Sequence, residues 1–301
     1  MNAAIDIGSN SILLLVVDGR QVVHDEQRVV GLGKGLGDRG VFRPDRMEAA
    51  LEVLRDYAVK VRELGVPADE VRVVATSASR RALNAATFYA NVQKVTGLRV
   101  QVISGEEEAR LTWLGGISGM DLAPGPVLLV DPGGGSTEVI LGEGGHIHQR
   151  VSLEIGTVRL TEMFLGYGTV EPQALARARA VIDEAFSGLR LDATPRSAIA
   201  VAGTATTLAA NSLGLLSYDP ALVHNSILGV GALRTWIDKL LAAGPEERRR
   251  LMVVSPDRAD TVLIGACILL RALECTRRQA WRVSDRGLRY GVVAPEFSAP
   301  E

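Results

Sequence analysis

The sequence predicts an α/β protein built from two copies of one domain, and three observations carry that expectation. A strand–turn–strand–turn–strand pattern opens the chain and returns near its middle. In each copy the first apolar strand ends in an Asp that begins a D-x-G-x-x-S turn. Each copy is followed by helical stretches and a further short apolar strand ending in small hydroxyl residues. At 301 residues and 47% hydrophobic, the chain has the material for two cores.

The first copy reads as a strand from Ala3, a tight turn at Gly8-Ser9-Asn10, a second strand to Val17, a hairpin turn at Asp18-Gly19, and a third strand from Val22 to Val30. The second copy runs through Val127–Val130, turns at Gly133-Gly134-Gly135, continues along Ser136–Leu141, turns at Gly144-Gly145, and returns along Ile147–Leu153. Asp6-Ile7-Gly8-Ser9-Asn10-Ser11 aligns with Asp131-Pro132-Gly133-Gly134-Gly135-Ser136, and Gln27-Arg28-Val29 with Gln149-Arg150-Val151. The hydroxyl-rich strand ends are Val73-Val74-Ala75-Thr76-Ser77 and Val201-Ala202-Gly203-Thr204-Ala205.

Helical periodicity is clearest from Arg46 to Leu64, where Met47, Leu51, Leu54, Ala58 and Val61 share one apolar face and Gly65 ends the run. Further helices are expected at Ala78–Val95, Glu107–Leu114, Glu171–Leu189, Ala205–Leu213, Gly231–Ala242 and Asp260–Arg277. Gly and Pro cluster between the repeats from Gly119 to Pro126, which predicts domains at 1–123 and 124–301.

Composition narrows the function. Lys+Arg 33 against Asp+Glu 35 leaves a net charge of −2, so no overall basic field can hold a long polyanion, and 4% aromatic residues leave little for base stacking. No nucleic-acid partner is expected. Without a basic leader or a long apolar run, no membrane partner is expected either, and the compartment expected is the cytoplasm. Cys267 and Cys275 read as reduced core residues, His146 and His148 as a solvated strand end, and Glu246-Glu247-Arg248-Arg249-Arg250 as a solvated helix face.

Two glycine-bearing turns in matching positions make a phosphate cradle, in which backbone N–H groups and side chains of Ser9, Asn10, Ser136 and Thr137 donate to anionic oxygens while Gly134 and Gly135 allow close approach. A plain Gly-rich hairpin is the alternative for either turn alone. Asp6 and Asp131 end apolar strands, where a carboxylate needs a partner; a Mg²⁺ ion or the Asp's own turn can supply it. Between the repeats, Ser104-Gly105-Glu106-Glu107-Glu108 starts a helix. Ser104 and Glu107 fit a capping box, which leaves Glu108 without a structural explanation. Glu138 lies two residues beyond Ser136 and faces the same side of its strand. Glu108 and Glu138 therefore suit activation of water and positioning of a metal or water. The loop from Gly31 to Gly40 reads as flexible, either with Lys34 and Arg39 available to reach substrate or as an ordinary mobile connection.

At these residues the chain resembles the exopolyphosphatase and guanosine pentaphosphate phosphohydrolase (Ppx/GppA) family, within the sugar kinase, actin and heat-shock ATPase superfamily. The resemblance is carried by the two Asp-led turns, Ala75-Thr76-Ser77-Ala78-Ser79-Arg80, Ile103–Leu111, Gly156-Thr157-Val158-Arg159-Leu160-Thr161-Glu162, Ala202-Gly203-Thr204-Ala205-Thr206 and Arg258-Ala259-Asp260. It implies two actin-like, ribonuclease H-like domains around a cleft. Glu108 then looks like the catalytic base and Glu138 like its partner. Arg80 resembles the chain-binding arginine, Ser9, Asn10, Gly135, Ser136 and Thr137 the phosphate turns, and Asp131 the metal-side aspartate, with Gly203 and Thr204 adding to that wall. The implied cofactor is Mg²⁺, with Mn²⁺ as its substitute. The implied activity is release of the terminal phosphate of inorganic polyphosphate. Hydrolysis of guanosine pentaphosphate to tetraphosphate and non-catalytic sensing of either ligand are the alternatives, and a homodimer is compatible with the pattern.

Pro132 and Asp285 depart from the family pattern: Pro132 should stiffen its turn and remove a donor, and Asp285 stands where a small residue is usual. The sequence also stops soon after Val283–Arg289, whereas longer members continue into helical domains. With Lys34, Arg39, Arg80, Arg81 and Arg258 as the cationic candidates, short chains and release between cuts are expected.

Overall fold

The computed structural model describes residues 1–293. The chain divides into two compact units, Met1–Ser118 together with the segment from Gly287 onward, and Gly119–Arg286. The division expected at residue 123 misses this return of the chain to the first unit. Its cause is apolar burial: Leu288, Tyr290, Val292 and Val293 form a core cluster with Ala4, Leu15, Val17, Val74, Ile103 and Leu111.

In the first unit the described residues form a five-stranded sheet in the order β3-β2-β1-β4-β5. The strands are β1 (Asn2–Ile7), β2 (Ser11–Asp18), β3 (Gln21–Val29), β4 (Val71–Ala75) and β5 (Val100–Val102). The first three are antiparallel neighbours, and β4 lies parallel to both β1 and β5. Ala3, Ile5 and Ile7 enter one core and Ala4 enters another on the opposite face. Burial on both faces explains why β1 and β2 read as near-continuous apolar runs.

The second unit repeats this plan with β6 (Val127–Pro132), β7 (Thr137–Glu143), β8 (His146–Leu153), β9 (Ser197–Ala200), β10 (Ile227–Gly229) and β11 (Ala280–Val283). Its sheet order is β10-β11-β9-β6-β7-β8, so β8-β7-β6-β9-β11 reproduces the first sheet and β10 adds an antiparallel edge. This is a duplicated actin-like α/β fold. The pairing shows one constant spacing between the copies, with Asp6 answering to Asp131, Val16 to Leu141 and Gln21 to His146, and even the bulge after Val16 recurs after Leu141. Gln27-Arg28-Val29 therefore answers to Ser152-Leu153-Glu154. The alignment with Gln149-Arg150-Val151 suggested by residue identity is out of register by three residues.

The helix Pro44–Glu63 buries Leu54, Tyr57, Ala58 and Val61, as its period requires. The single helix expected over 78–95 is two, Ser77–Arg81 and Ala85–Thr96. Asn84 lies in the break, where its side chain accepts from the Phe42 N–H (2.8 Å) and donates to the Phe42 carbonyl (3.0 Å). The loop from Gly31 is pinned, not free: Leu32 and Leu36 are buried in the core, and the stretch includes the short helix Leu36–Arg39. Among the expected solvated residues of the helix Pro245–Leu251, Arg248 is instead wholly buried and donates to the carbonyl of Gly168. Cys267 is a buried free thiol and Cys275 a half-buried one. No helix among the described residues is long and apolar enough to cross a membrane.

Candidate active site

In the first unit, Asp6 is the penultimate residue of β1 and lies opposite Leu13 on β2 and beside Val74 on β4. Its Oδ1 is shielded from solvent and has no hydrogen-bond partner. Burial pushes its pKa up to about 7, the charge of Glu108 adds to that rise, and Arg289 works against it. The turn after it closes with Gly8 N–H donating to the Ser11 carbonyl (2.9 Å). The carbonyls of Ser9 and Asn10 point away into the following loop, accepting from Gly33 (2.7 Å), and from Val30 and Gly31 (2.9 and 2.8 Å). The backbone N–H groups of Ser9 and Asn10 are not drawn into these bonds, as an anion-binding turn requires.

Glu108 sits in the first turn of the helix Gly105–Ile117. The Ser104 hydroxyl accepts from the Glu107 N–H (3.1 Å), which is half of the expected capping box. The Glu107 carboxylate does not complete it, because it takes two N–H bonds from Arg110 (2.8 and 2.9 Å), which hold its pKa below the usual carboxylate range. Glu108 turns elsewhere: Arg80 Nη1 donates to its Oε2 at 2.7 Å and to the Ile103 carbonyl at 3.0 Å. The Arg80 and Glu108 side chains are 30% and 13% exposed, so the pair is open to a ligand without being freely solvated. The break at residues 82–84 confines Arg80 to a short helix directly after β4, which sets it opposite the Glu108 turn.

In the second unit the matching aspartate, Asp131, lies opposite Glu138 on β7, and Glu138 lies opposite Ser152 on β8. Paired residues share a sheet face, so the two carboxylates and the serine form a row. Glu138 is buried, and its Oε1 accepts from the hydroxyls of Ser136 (2.8 Å) and Ser152 (3.0 Å). Sequence reasoning missed Ser152, whose signal lies in the constant spacing between the copies. Pro132 ends β6, where its missing N–H costs little, and Gly133 N–H donates across it to the Asp131 carbonyl (3.0 Å). The carbonyls of Gly133 and Gly134 accept from Thr157 (2.9 Å), and from Val158 and Arg159 (both 3.0 Å), which fixes the turn to the Gly156–Thr161 motif. Gly135 is buried.

Two expected phosphate ligands face inward. The Thr137 hydroxyl is fully buried and donates to the Ile155 carbonyl at 2.7 Å, so only its backbone remains for an anion. The Thr204 side chain packs on Gly265 of the helix Val262–Thr276. Gly203 is covered by the guanidinium of Arg258, and a methyl group at residue 203 would overlap it. Arg258 is 9% exposed, and burial lowers its pKa to about 10. Asp285 accepts from the Tyr218 hydroxyl, while its N–H donates to His224 Nδ1 at 3.3 Å. That explains the departure at this position as a local polar tie.

Among the described residues no group of three or more His, Cys, Asp or Glu could hold a metal ion. Each unit instead offers two carboxylates, Asp6 with Glu108 and Asp131 with Glu138. Mg²⁺ keeps several waters and uses one or two carboxylates plus substrate phosphates, so either all-oxygen pair taken within its own unit fits it, and the orphaned Oδ1 of Asp6 does so too.

The model of the Ppx/GppA phosphatase family matches residues 14–298. The chain belongs to the Ppx/GppA phosphatase family. It is 35% identical to exopolyphosphatase 2 of Mycobacterium tuberculosis over 284 residues, covering 89% of this chain and 88% of that protein. The crystal structure of the Aquifex aeolicus Ppx/GppA family member matches with a TM-score of 0.80 and 35% identity, over 98% of this chain and 96% of that one. The structure of an exopolyphosphatase from Cytophaga hutchinsonii matches with a TM-score of 0.87 and 26% identity, over 99% and 98%. Membership assigns phosphatase chemistry to this chain.

Proposed function

We propose that this protein hydrolyses the terminal phosphoanhydride of inorganic polyphosphate, with Glu108 as the base that takes a proton from the attacking water. The observation that carries this reading is the Arg80–Glu108 pair near Asp6, whose buried Oδ1 has no hydrogen-bond partner. Phosphoryl transfer to water needs little covalent help from the protein; it needs positioning, charge neutralisation and a base. Arg80 supplies planar N–H donors for phosphoryl oxygens, and when it turns to substrate it releases Glu108 to accept from water. The turn N–H groups of Ser9 and Asn10 bind phosphate oxygens, and the Gly134–Ser136 turn is assigned the same task in its unit. Asp6 in the first unit, and the Asp131–Glu138 pair in the second, are the carboxylates that would hold Mg²⁺ or its water within their own units, and the ion would neutralise charge on the phosphate oxygens. The water oxygen forms the new P–O bond, the bridging P–O bond breaks, and orthophosphate leaves with a chain one unit shorter.

The curated relative's name supports polyphosphate as the substrate class. Phosphate release measured with polyphosphate, guanosine pentaphosphate and ATP, beside direct binding of each, tests the proposal. Turnover fastest on polyphosphate is expected. Preference for guanosine pentaphosphate would move the substrate assignment, and binding without turnover would replace the enzyme by a sensor.

A further inference from the structure

We infer that the C-terminal helix Leu288–Val292 is a positioning element for Glu108. The inference rests on the assignment of Glu108 as the base. The helix Gly105–Ile117, which carries Glu108, and the C-terminal helix meet backbone to backbone. A methyl group on Gly291 would overlap the carbonyl of Leu111, less than one turn from Glu108, and one on Gly115 would overlap the carbonyl of Gly287. Contact this close is available only to glycine, and it leaves the Glu108 helix no room to shift toward its neighbour.

The C-terminal helix is itself tied to the sheet from two sides. Arg289, 9% exposed, makes a bidentate pair with Asp25 on β3 (2.9 Å for each bond), and the Tyr290 hydroxyl donates to the same carboxylate at 3.1 Å. The Arg289 guanidinium lies 5.0 Å from the centre of the Tyr290 ring. Arg72 Nη1, on β4, donates to the Val292 carbonyl at 3.1 Å. Leu288, Tyr290 and Val292 share one core cluster with Leu111 of the Glu108 helix and with Ala4 and Leu15 of the sheet that carries Asp6. A base must be held to a fraction of an ångström, and a displacement of about 1 Å costs roughly 10²-fold in rate. Here that tolerance is set by a segment far from Glu108 in sequence, and Gly291 and Arg289 act through Glu108 without contacting the reacting atoms.

The test is a double-mutant cycle on polyphosphate hydrolysis, with Gly291→Ala as the main variant and Asp25→Asn as the milder one if Gly291→Ala folds poorly. Each single variant is expected to lower kcat by roughly 10-fold or more with KM within about 2-fold of wild type. In a Glu108→Gln background the same substitutions are expected to cost nothing further, because the group they position is gone. General damage to the fold would instead multiply through, with the same factor in both backgrounds, and would overturn the inference. An unchanged kcat in the single variants with a slow Glu108→Gln overturns the positioning role alone. A Glu108→Gln variant that keeps wild-type kcat overturns the base assignment, and the positioning role with it.

Discussion

The two triple strands of this protein match residue for residue, yet they obtain their second carboxylate by different routes. In the second unit the partner of Asp131 is its cross-strand neighbour Glu138. In the first unit the equivalent neighbour of Asp6 is Leu13, and the nearby carboxylate comes from Glu108 on the helix Gly105–Ile117. Duplication thus preserved the aspartate and the turn while divergence changed what stands beside them. Glu138 on its strand accepts from the hydroxyls of Ser136 and Ser152, and Glu108 on its helix accepts from Arg80, in line with the proposed roles of a fixed ligand and a group that changes partners during reaction.

Among changes that exchange features between the two units, the largest effect is expected where the second unit is made to copy the first. Glu138→Leu reproduces the Leu13 environment and, on the role proposed for Glu138, should lower kcat by about 10²-fold or more, with the fold intact by circular dichroism. Full activity in this variant would make the strand carboxylate dispensable and remove the contrast. Next in size is Arg80→Ala, which on the proposed role removes a charged hydrogen bond to substrate worth about 1.5–3 kcal/mol and should raise KM. Because Arg80 also holds Glu108, kcat should fall with it; steady-state kinetics with no change in either constant would place Arg80 outside the site.

The third prediction concerns stability. Asp6 has a pKa of about 7 in the folded protein against 3.8 for the ordinary group, so the native state binds this proton more tightly than the unfolded chain. Its contribution is fully present below pH 3.8 and is lost as pH rises through about 7. In metal-free buffer well above pH 7, Asp6→Asn should therefore be more stable than wild type, by at most ~4 kcal/mol on the scale of 1.36 kcal/mol per pK unit, and the gain should vanish at low pH. Mg²⁺ should raise the Tm of the wild type and not that of Asp6→Asn. Equal responses to Mg²⁺ would take Asp6 out of the metal's ligands. The smallest effect is expected from Leu13→Glu, which copies β7 into β2: no gain in turnover and a loss of about 1 kcal/mol in urea unfolding.

Much of this contrast was legible in the sequence, because turns, periodicity and caps are local. The D-x-G-x-x-S pair located both triple strands, and the Ser104–Glu107 spacing separated a capping region from Glu108. What was illegible depends on contacts distant in the chain. Asp25 and Arg289 are 264 residues apart and no local pattern links them. The inward turn of Thr137 and Thr204 depends on the Ile155 carbonyl and on Gly265, and the burial of Arg248 depends on the carbonyl of Gly168. Residue identity also misled: the repeated Gln-Arg-Val drew β3 and β8 out of register and concealed Ser152.

Glu108 is proposed as the base, and its neighbour Glu107 is not. Glu108→Gln and Glu107→Gln differ by one residue on one helix turn, so steady-state hydrolysis of polyphosphate by the two variants, with Tm measured on the same samples, isolates the role. Glu108→Gln is expected to lower kcat by roughly 10²- to 10⁴-fold with KM nearly unchanged, while Glu107→Gln loses its Arg110 pair and little turnover. Equal slowing by both variants at unchanged Tm, or wild-type kcat in Glu108→Gln, would contradict this assignment.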